Sequence, residues 1–209
     1  MRHTACSVLI AVLAAAARPA AAQQPRPALT QPTPRPQPSP QPRPHGVRVA
    51  VDPRQVTVDD GDTVVIHWSR TDVETVRILG IDTPETRHVE HDIPYDQPFG
   101  AEAQAFAEGA FGAASRVELL RAATLDPYGR TLGYLWINGR NYSVMVVAAR
   151  LAEESISHFG DNGLPQEAAE VMSAARQAGP LAFEPPSMYR ARMRELARWM
   201  KERGVYPSR

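Results

Sequence analysis

Five charged side chains combine type and spacing in a way that could do chemistry: the carboxylates of Asp62, Asp82 and Glu85 and the guanidinium groups of Arg77 and Arg130. Carboxylates are hard oxygen ligands for a divalent cation. Guanidinium groups present a planar fork that matches two phosphate oxygens and, unlike lysine, keeps its proton. A glutamate, with a reference pKa of about 4.3, can accept a hydrogen bond from water at neutral pH without first losing a proton. Taken singly, each acid has an ordinary explanation. Asp62 lies just past the turn residue Gly61, and Asp82 and Glu85 flank Thr83-Pro84, where a loop accepts acids readily. As a set, the acids and arginines pose a question about the elements that hold them.

Those elements read as a β-meander followed by helices. Residues 47–51 and 55–58 are short strands broken at Pro53, and the turn Asp59-Asp60-Gly61 leads into an alternating, β-branched strand over 63–68 and a longer one over 73–81. Pro84 stops that strand, and the charged, aperiodic stretch 85–98 is a loop. Phe99, Ala103, Phe106 and Ala110 fall at helical spacing, which predicts a helix over 99–114. Two more strands, 116–122 and 130–137, surround the turn Asp126-Pro127-Tyr128-Gly129. Ser143 is the expected cap of a helix to Glu154, Pro165 opens another that Gly179-Pro180 ends, and Ser187 is the expected cap of a last helix to Gly204. The outline is α+β: a five-stranded OB-type β-barrel with a helix after the third strand and further helices at the C-terminal end.

On that outline, three runs resemble the signature segments of the staphylococcal (thermonuclease-type) nuclease family, in its order and at about its spacings. They are Asp60-Gly61-Asp62-Thr63, Arg77 to Thr86 (RILGIDTPET), and Asp126-Pro127-Tyr128-Gly129-Arg130. The resemblance covers roughly residues 48–152, about half the chain, and it is the joint pattern that is specific. It implies that Asp62 and Asp82 bind calcium with the backbone carbonyl of Thr83. Glu85 would orient or deprotonate the attacking water, and Arg77 and Arg130 would grip the phosphate. The implied activity is calcium-dependent hydrolysis of DNA and RNA, single-stranded by preference, leaving 3′-phosphate ends. The alternative is a catalytically inactive OB-fold module that binds nucleic acid. Proline at position 127 departs from the lysine of the best-known member, and the region after Ala152 departs from the expected closing helix.

The chemistry agrees with those implied roles. A phosphodiester gains charge on its nonbridging oxygens as water attacks, so the site needs positive charge in place beforehand, from guanidinium groups and a hard cation. His88-Val89-Glu90-His91 lacks the spacing and the third ligand of a zinc site and reads as a solvated loop. Tyr128 is able to stack on a base or to pack in the core, and packing is the expectation.

The flanks set the context. Residues 1–22 combine a short positive start, an apolar run and Ala20-Ala21-Ala22, the build of a cleaved export signal. The single cysteine, Cys6, falls inside it, so the exported chain would have no disulfide, thiol nucleophile or cysteine-bound metal. Residues 23–45 form a proline-rich spacer, leaving 46–209 as the folded domain with a helical extension. Losing Arg2 and Arg18, with no acid lost, takes the formal charge from zero to about minus two, so no global basic field draws the protein to a polyanion. The expectation is a periplasmic or extracellular monomer with nucleic acid as substrate, no stable protein partner and no membrane span after processing.

Overall fold

The structure is a computed structural model that describes residues 37–207. The expected export signal and most of the proline-rich spacer lie outside the described residues.

The strands are β1 (Arg48–Val51), β2 (Val56–Val58), β3 (Thr63–His67), β4 (Val73–Ile78), β5 (Ile81–Asp82), β6 (Val117–Leu125), β7 (Thr131–Ile137), β8 (Arg140–Asn141) and β9 (Glu153–Glu154). The helices are α1 (Gly100–Gly112), α2 (Tyr142–Ala148), α3 (Ile156–Phe159), α4 (Pro165–Ala178) and α5 (Pro186–Glu202). Six strands run in the order β1-β6-β7-β4-β3-β2, with β8 on β7, in a curled mixed sheet of OB type. Every pairing on that path is antiparallel except β4 with β7, which run parallel with Val76 opposite Thr131.

Alternation in β4 explains how one strand serves both core and site. Glu74, Val76 and Ile78 point inward, while Val73, Thr75 and Arg77 take the other face. The apolar inward positions join Val64, Ile66, Leu119, Leu135, Ile137, Tyr142 and Val146 in the main core, which Ala168 and Val171 of α4 complete. Burying each such aliphatic side chain contributes about 1.5–3 kcal/mol. Glu74 is buried too, and is satisfied by Arg121 at 2.7 and 2.8 Å, the Thr131 hydroxyl at 2.6 Å and the Trp68 indole at 2.7 Å. A smaller core of Ile93, Tyr189 and Met193, with Leu196 against it, ties α5 to the loop after Glu85.

Several elements differ from their expected form. The strand expected over 73–81 stops at Ile78, because Gly80 takes a left-handed conformation (φ 80°) and the chain resumes as β5. The helix expected to reach Glu154 ends at Ala148. Arg150 adopts a left-handed conformation (φ 61°), and the N–H groups of Arg150 and Leu151 bond the carbonyls of Val147 and Val146 at 2.9 and 3.1 Å. That is a Schellman ending built without glycine, so no sequence signal marks it. The chain then returns as β9 and pairs with β5, Asp82 opposite Glu153. Asn141, not Ser143, caps α2, accepting the Ser143 N–H at 3.0 Å, while the Ser143 hydroxyl is buried and donates to the Leu79 carbonyl at 2.8 Å. The α5 start has Pro185, not Ser187, at the cap position and Pro186 in the first turn, with no side-chain cap bond among the described residues. Upstream, the last residues of the spacer lie along β6: the Gln41 N–H bonds the Ala123 carbonyl at 2.9 Å, and the Leu125 N–H bonds the Ser39 carbonyl at 2.8 Å.

Candidate active site

The acidic residues arrive from two neighbouring turns. Asp62 leaves the turn between β2 and β3, where the Asp60 side chain accepts its N–H at 2.9 Å. Gly61 is required there, because a Cβ would come within 2.8–2.9 Å of the Thr83 side chain. The Tyr142 hydroxyl fixes the same turn by donating to the Gly61 carbonyl at 2.7 Å. Across the sheet, Thr63 pairs with Arg77, which brings that guanidinium beside Asp62. The break at Gly80 turns the chain so that Asp82 and Thr83 come back to the same place.

The resulting contacts are dense. Arg77 ion-pairs with Asp62 and donates to Asp82 Oδ1 at 3.1 Å, with further bonds to the Asp62 and Ile81 carbonyls at 3.3 and 3.2 Å. Thr83 donates its N–H and its hydroxyl to Asp62 Oδ2 at 2.9 and 3.1 Å. Glu85 is held through its backbone: its N–H bonds Gln97 Oε1 at 3.1 Å, and its carbonyl accepts the Gln97 N–H at 2.8 Å. Gln97 is buried, and its Nε2 donates to the Glu184 carbonyl at 2.7 Å, linking this loop to the segment before α5.

A residue that the sequence did not single out completes the cluster. Arg190, on α5, forks onto Asp82 with bonds of 2.9 and 2.8 Å and reaches Glu85 Oε1 at 2.5 Å. Asp62, Asp82 and Glu85 are therefore drawn together around two guanidinium groups, Arg77 and Arg190. Among the described residues, Glu85 Oε2 has no hydrogen bond to the protein.

The electrostatics follow from this packing. Burial pushes the Asp62 carboxyl up, but Arg77, the two Thr83 bonds and Arg190 together hold it below its ordinary value. Asp60 is raised, by burial first and then by the neighbouring Asp62 charge. Burial also raises Glu85, with Arg190 opposing the shift. Burial alone would lower Arg77, yet Asp62, Asp82 and Asp60 keep it firmly charged. Guanidinium groups thus hold the Asp62 carboxyl down, while burial makes Asp60 and Glu85 better proton acceptors.

Arg130 stands differently from the expected facing pair. Its Nε is anchored to Asp126 Oδ2 at 2.7 Å, and the same Asp126 organises the turn by accepting the N–H groups of Tyr128 and Arg130 at 2.9 and 2.8 Å. Its guanidinium carbon lies 5.8 Å from the Tyr128 ring centre. Among the described residues, no ion pair joins Arg130 to Asp62, Asp82 or Glu85, and its two Nη groups have no hydrogen bond. Tyr128 does not pack in the core; it is 80% exposed at the turn, because proline and glycine on either side hold the hairpin tip out in solvent. The His88 and His91 rings meet edge to face at 5.8 Å. Among the described residues, no group of three His, Cys, Asp or Glu side chains stands at metal-binding spacing; at the acidic cluster, Arg77 and Arg190 nitrogens are bonded to the Asp82 carboxylate.

Comparison with known proteins gives the family. The Staphylococcal nuclease homologue family matches residues 75–179. The chain is 38% identical over 96 residues to a thermonuclease of Staphylococcus intermedius, covering 46% of this chain and 54% of that protein. It is 32% identical over 103 residues to a thermonuclease of Staphylococcus hyicus, covering 49% and 55%. It is also 32% identical over 101 residues to the SPbeta prophage-derived endonuclease YokF of Bacillus subtilis, covering 46% and 33%. The chain thus spans about half the length of the thermonucleases it matches, and α5 with Arg190 lies beyond the residues 75–179 that match the family. With the matched region spanning half of its residues and the acid and arginine cluster assembled within an OB-type sheet, the chain belongs to the family of staphylococcal nuclease homologues.

Proposed function

We propose that the chain is a calcium-dependent nuclease that hydrolyses the phosphodiester bonds of single-stranded DNA and RNA, leaving 3′-phosphate ends. The observation that carries the reading is the convergence of Asp62 and Asp82 on the partly buried Arg77 guanidinium, with Glu85 joined to Asp82 through Arg190. Buried carboxylates cost free energy unless opposite charges or hydrogen bonds compensate them, and here Asp62 and Asp82 are buried with the partly exposed Glu85 close by.

The donor set fits a hard cation in kind. The two aspartates and the carbonyl of Thr83 offer oxygen only, with no cysteine among the residues after Cys6. A bound divalent cation supplies positive charge to a phosphate oxygen as negative charge builds on it. The chain's own residues do the rest. Glu85, with its free Oε2, accepts a proton from the water that attacks phosphorus, and its raised proton affinity suits that task. Arg77, preorganised by Asp62 and Asp82, offers a fixed charge to the nonbridging oxygens. Arg130, anchored through Nε alone, presents two Nη groups to the same phosphate. As the bond between phosphorus and the 5′ oxygen breaks, the leaving 5′ oxygen takes a proton from bulk water, and the phosphate stays on the 3′ side. The exposed Tyr128 ring provides a surface on which a base stacks, with little sequence preference.

Export to the periplasm or beyond is part of the proposal and rests on residues 1–22. Among the described residues, no helix is long and apolar enough to cross a membrane.

The test is incubation of the full chain with denatured DNA and with RNA, in calcium and then in excess chelator, with analysis of the product ends. Cleavage in calcium that stops on chelation and leaves 3′-phosphate ends is expected. Glu85→Gln and Arg130→Ala should each lower kcat by on the order of a hundredfold or more, with the fold retained. Tight binding of single strands without cleavage would assign the chain to the inactive binding modules instead.

A further inference from the structure

Arg190 is held in place by more than its two carboxylates. Its helix, α5, is seated on the loop that follows Glu85. The Tyr189 hydroxyl donates to the Tyr95 and Asp96 carbonyls at 3.1 and 2.9 Å, Lys201 ion-pairs with Asp92, and Met193 packs on Ile93. The Tyr206 hydroxyl bonds the Val89 carbonyl at 2.7 Å just past the helix. The guanidinium is therefore delivered to the acidic cluster by a docked helix, and it is itself partly buried there.

The oxygens it meets are the ones a cation would use. Both Asp62 oxygens accept protein donors, from Thr63 and Arg77 on one side and Thr83 on the other. Both Asp82 oxygens accept Arg190, with Arg77 sharing Oδ1. A divalent cation that takes Asp82 as a ligand must break the bidentate Arg190 contact, because two positive charges cannot occupy the same oxygens at that range without strong repulsion. The two states are thus linked: whatever stabilises Arg190 on Asp82 weakens the cation, and the reverse holds by the same amount.

We propose that Arg190 is a built-in counter-cation of this site, a positioning residue that occupies the cation's place on Asp82 and thereby sets the site's affinity for calcium. The inference rests on the cation-dependent reading above, and it concerns binding rather than turnover. Replacing Arg190 with alanine frees Asp82 Oδ2, leaves Oδ1 with Arg77 as its one donor among these contacts, and removes a positive charge that repels the ion. Arg190→Lys keeps the charge but loses the fork that spans Asp82 and Glu85, so its affinity falls between the two. Arg192, two residues along the same helix, paired with Glu184 and 5.2 Å from the Tyr189 ring centre, provides the control for losing a nearby positive charge that pairs with none of the three acids.

The experiment is calorimetric titration of calcium into the full-length chain and into Arg190→Ala, Arg190→Lys and Arg192→Ala, at fixed ionic strength, with the calcium-induced shift of Tm as a second readout. The expected result is a Kd for Arg190→Ala lower by on the order of tenfold or more, a smaller decrease for Arg190→Lys, and an unchanged Kd for Arg192→Ala. The Tm of Arg190→Ala should be below wild type without calcium and should rise further when calcium is added. Equal or weaker calcium binding by Arg190→Ala overturns the proposal while leaving the cation-dependent reading intact, as does the same gain in Arg192→Ala. Silence of every chain towards calcium overturns both. If Arg190→Ala does not fold, the Arg190→Lys titration decides, and an affinity no greater than wild type refutes the inference.

Discussion

Replacing Gln97 tests whether Glu85 is held from behind. The Gln97 amide is the one side chain that both receives the Glu85 N–H, at 3.1 Å, and donates to the Glu184 carbonyl, at 2.7 Å. Gln97→Ala removes both bonds and leaves a donor and an acceptor without partners in a half-wet setting. Each bond is worth about 1 kcal/mol net and each stranded group costs about 1 kcal/mol or more, so a total loss of about 2–4 kcal/mol is expected. At about 2–4 °C per kcal/mol for a domain of this size, Tm should fall by roughly 5–15 °C. Activity should fall as well, by about ten- to hundredfold in kcat, because Glu85 keeps its contact with Arg190 but loses one of the two bonds that fix its backbone. KM should change little, since no substrate contact is removed. Urea unfolding and steady-state cleavage of denatured DNA measure the two losses separately. Gln97→Met restores the volume without the bonds, and it isolates their share. If Gln97→Met is as stable and as active as wild type, the hydrogen bonds do not position Glu85 and the argument fails.

Other expectations follow from the same contacts. Gly100→Ala should reduce kcat as well as stability, since a Cβ there would collide with the Glu85 carbonyl oxygen and lie 2.9 Å from its carbon, so backbone must move; wild-type kcat in this variant would refute the close approach. Glu74 is buried, which favours its neutral form, but Arg121, Thr131 and Trp68 hold its carboxyl below the ordinary value. Its contribution to stability is then present above the unfolded-state pKa of about 4.5 and is lost as pH falls below it, so Glu74→Gln should be less stable at neutral pH and should lose less on acidification, as read by urea midpoints between pH 7 and pH 3. Removing one partner of that buried pair should cost about 3–5 kcal/mol at pH 7. Tyr128→Ala should weaken binding of single-stranded substrate by roughly 1–3 kcal/mol, seen as a higher KM, and leave Tm unchanged because the ring is exposed. A drop in Tm would mean that the ring is structural after all.

The acidic cluster was legible in the sequence because its members sit in short local runs: turn, strand end and loop start each carry their own signal. Asp62, Asp82, Thr83 and Arg77 are in contact, and Glu85 joins them through Arg190. Arg190 and Gln97 were not legible. Arg190 lies 108 residues from Asp82, and α5 carries several other arginines, so nothing local distinguishes it. Gln97 acts through two backbone groups, one of them 87 residues away, a relation that leaves no mark on residue type. The same limit explains the short α2, whose stop depends on an arginine in a conformation usually reserved for glycine or asparagine. Barrel strands were easier, since their β-branched alternation is enforced residue by residue by the core they bury.

The break at Gly80 decides more than where one strand ends. Arg77 and Asp82 are separated by five positions, an odd number, and in an uninterrupted strand an odd separation sends two side chains to opposite faces. Without the left-handed residue between them, the arginine and the aspartate would be strangers across the sheet. One glycine thus acts as a parity switch, and a Cβ at that position would press on the Tyr134 hydroxyl at 3.0 Å as well as straining the backbone. Lengthening or shortening the chain by one residue at this joint would undo the meeting of opposite charges while leaving every residue of the motif in the sequence.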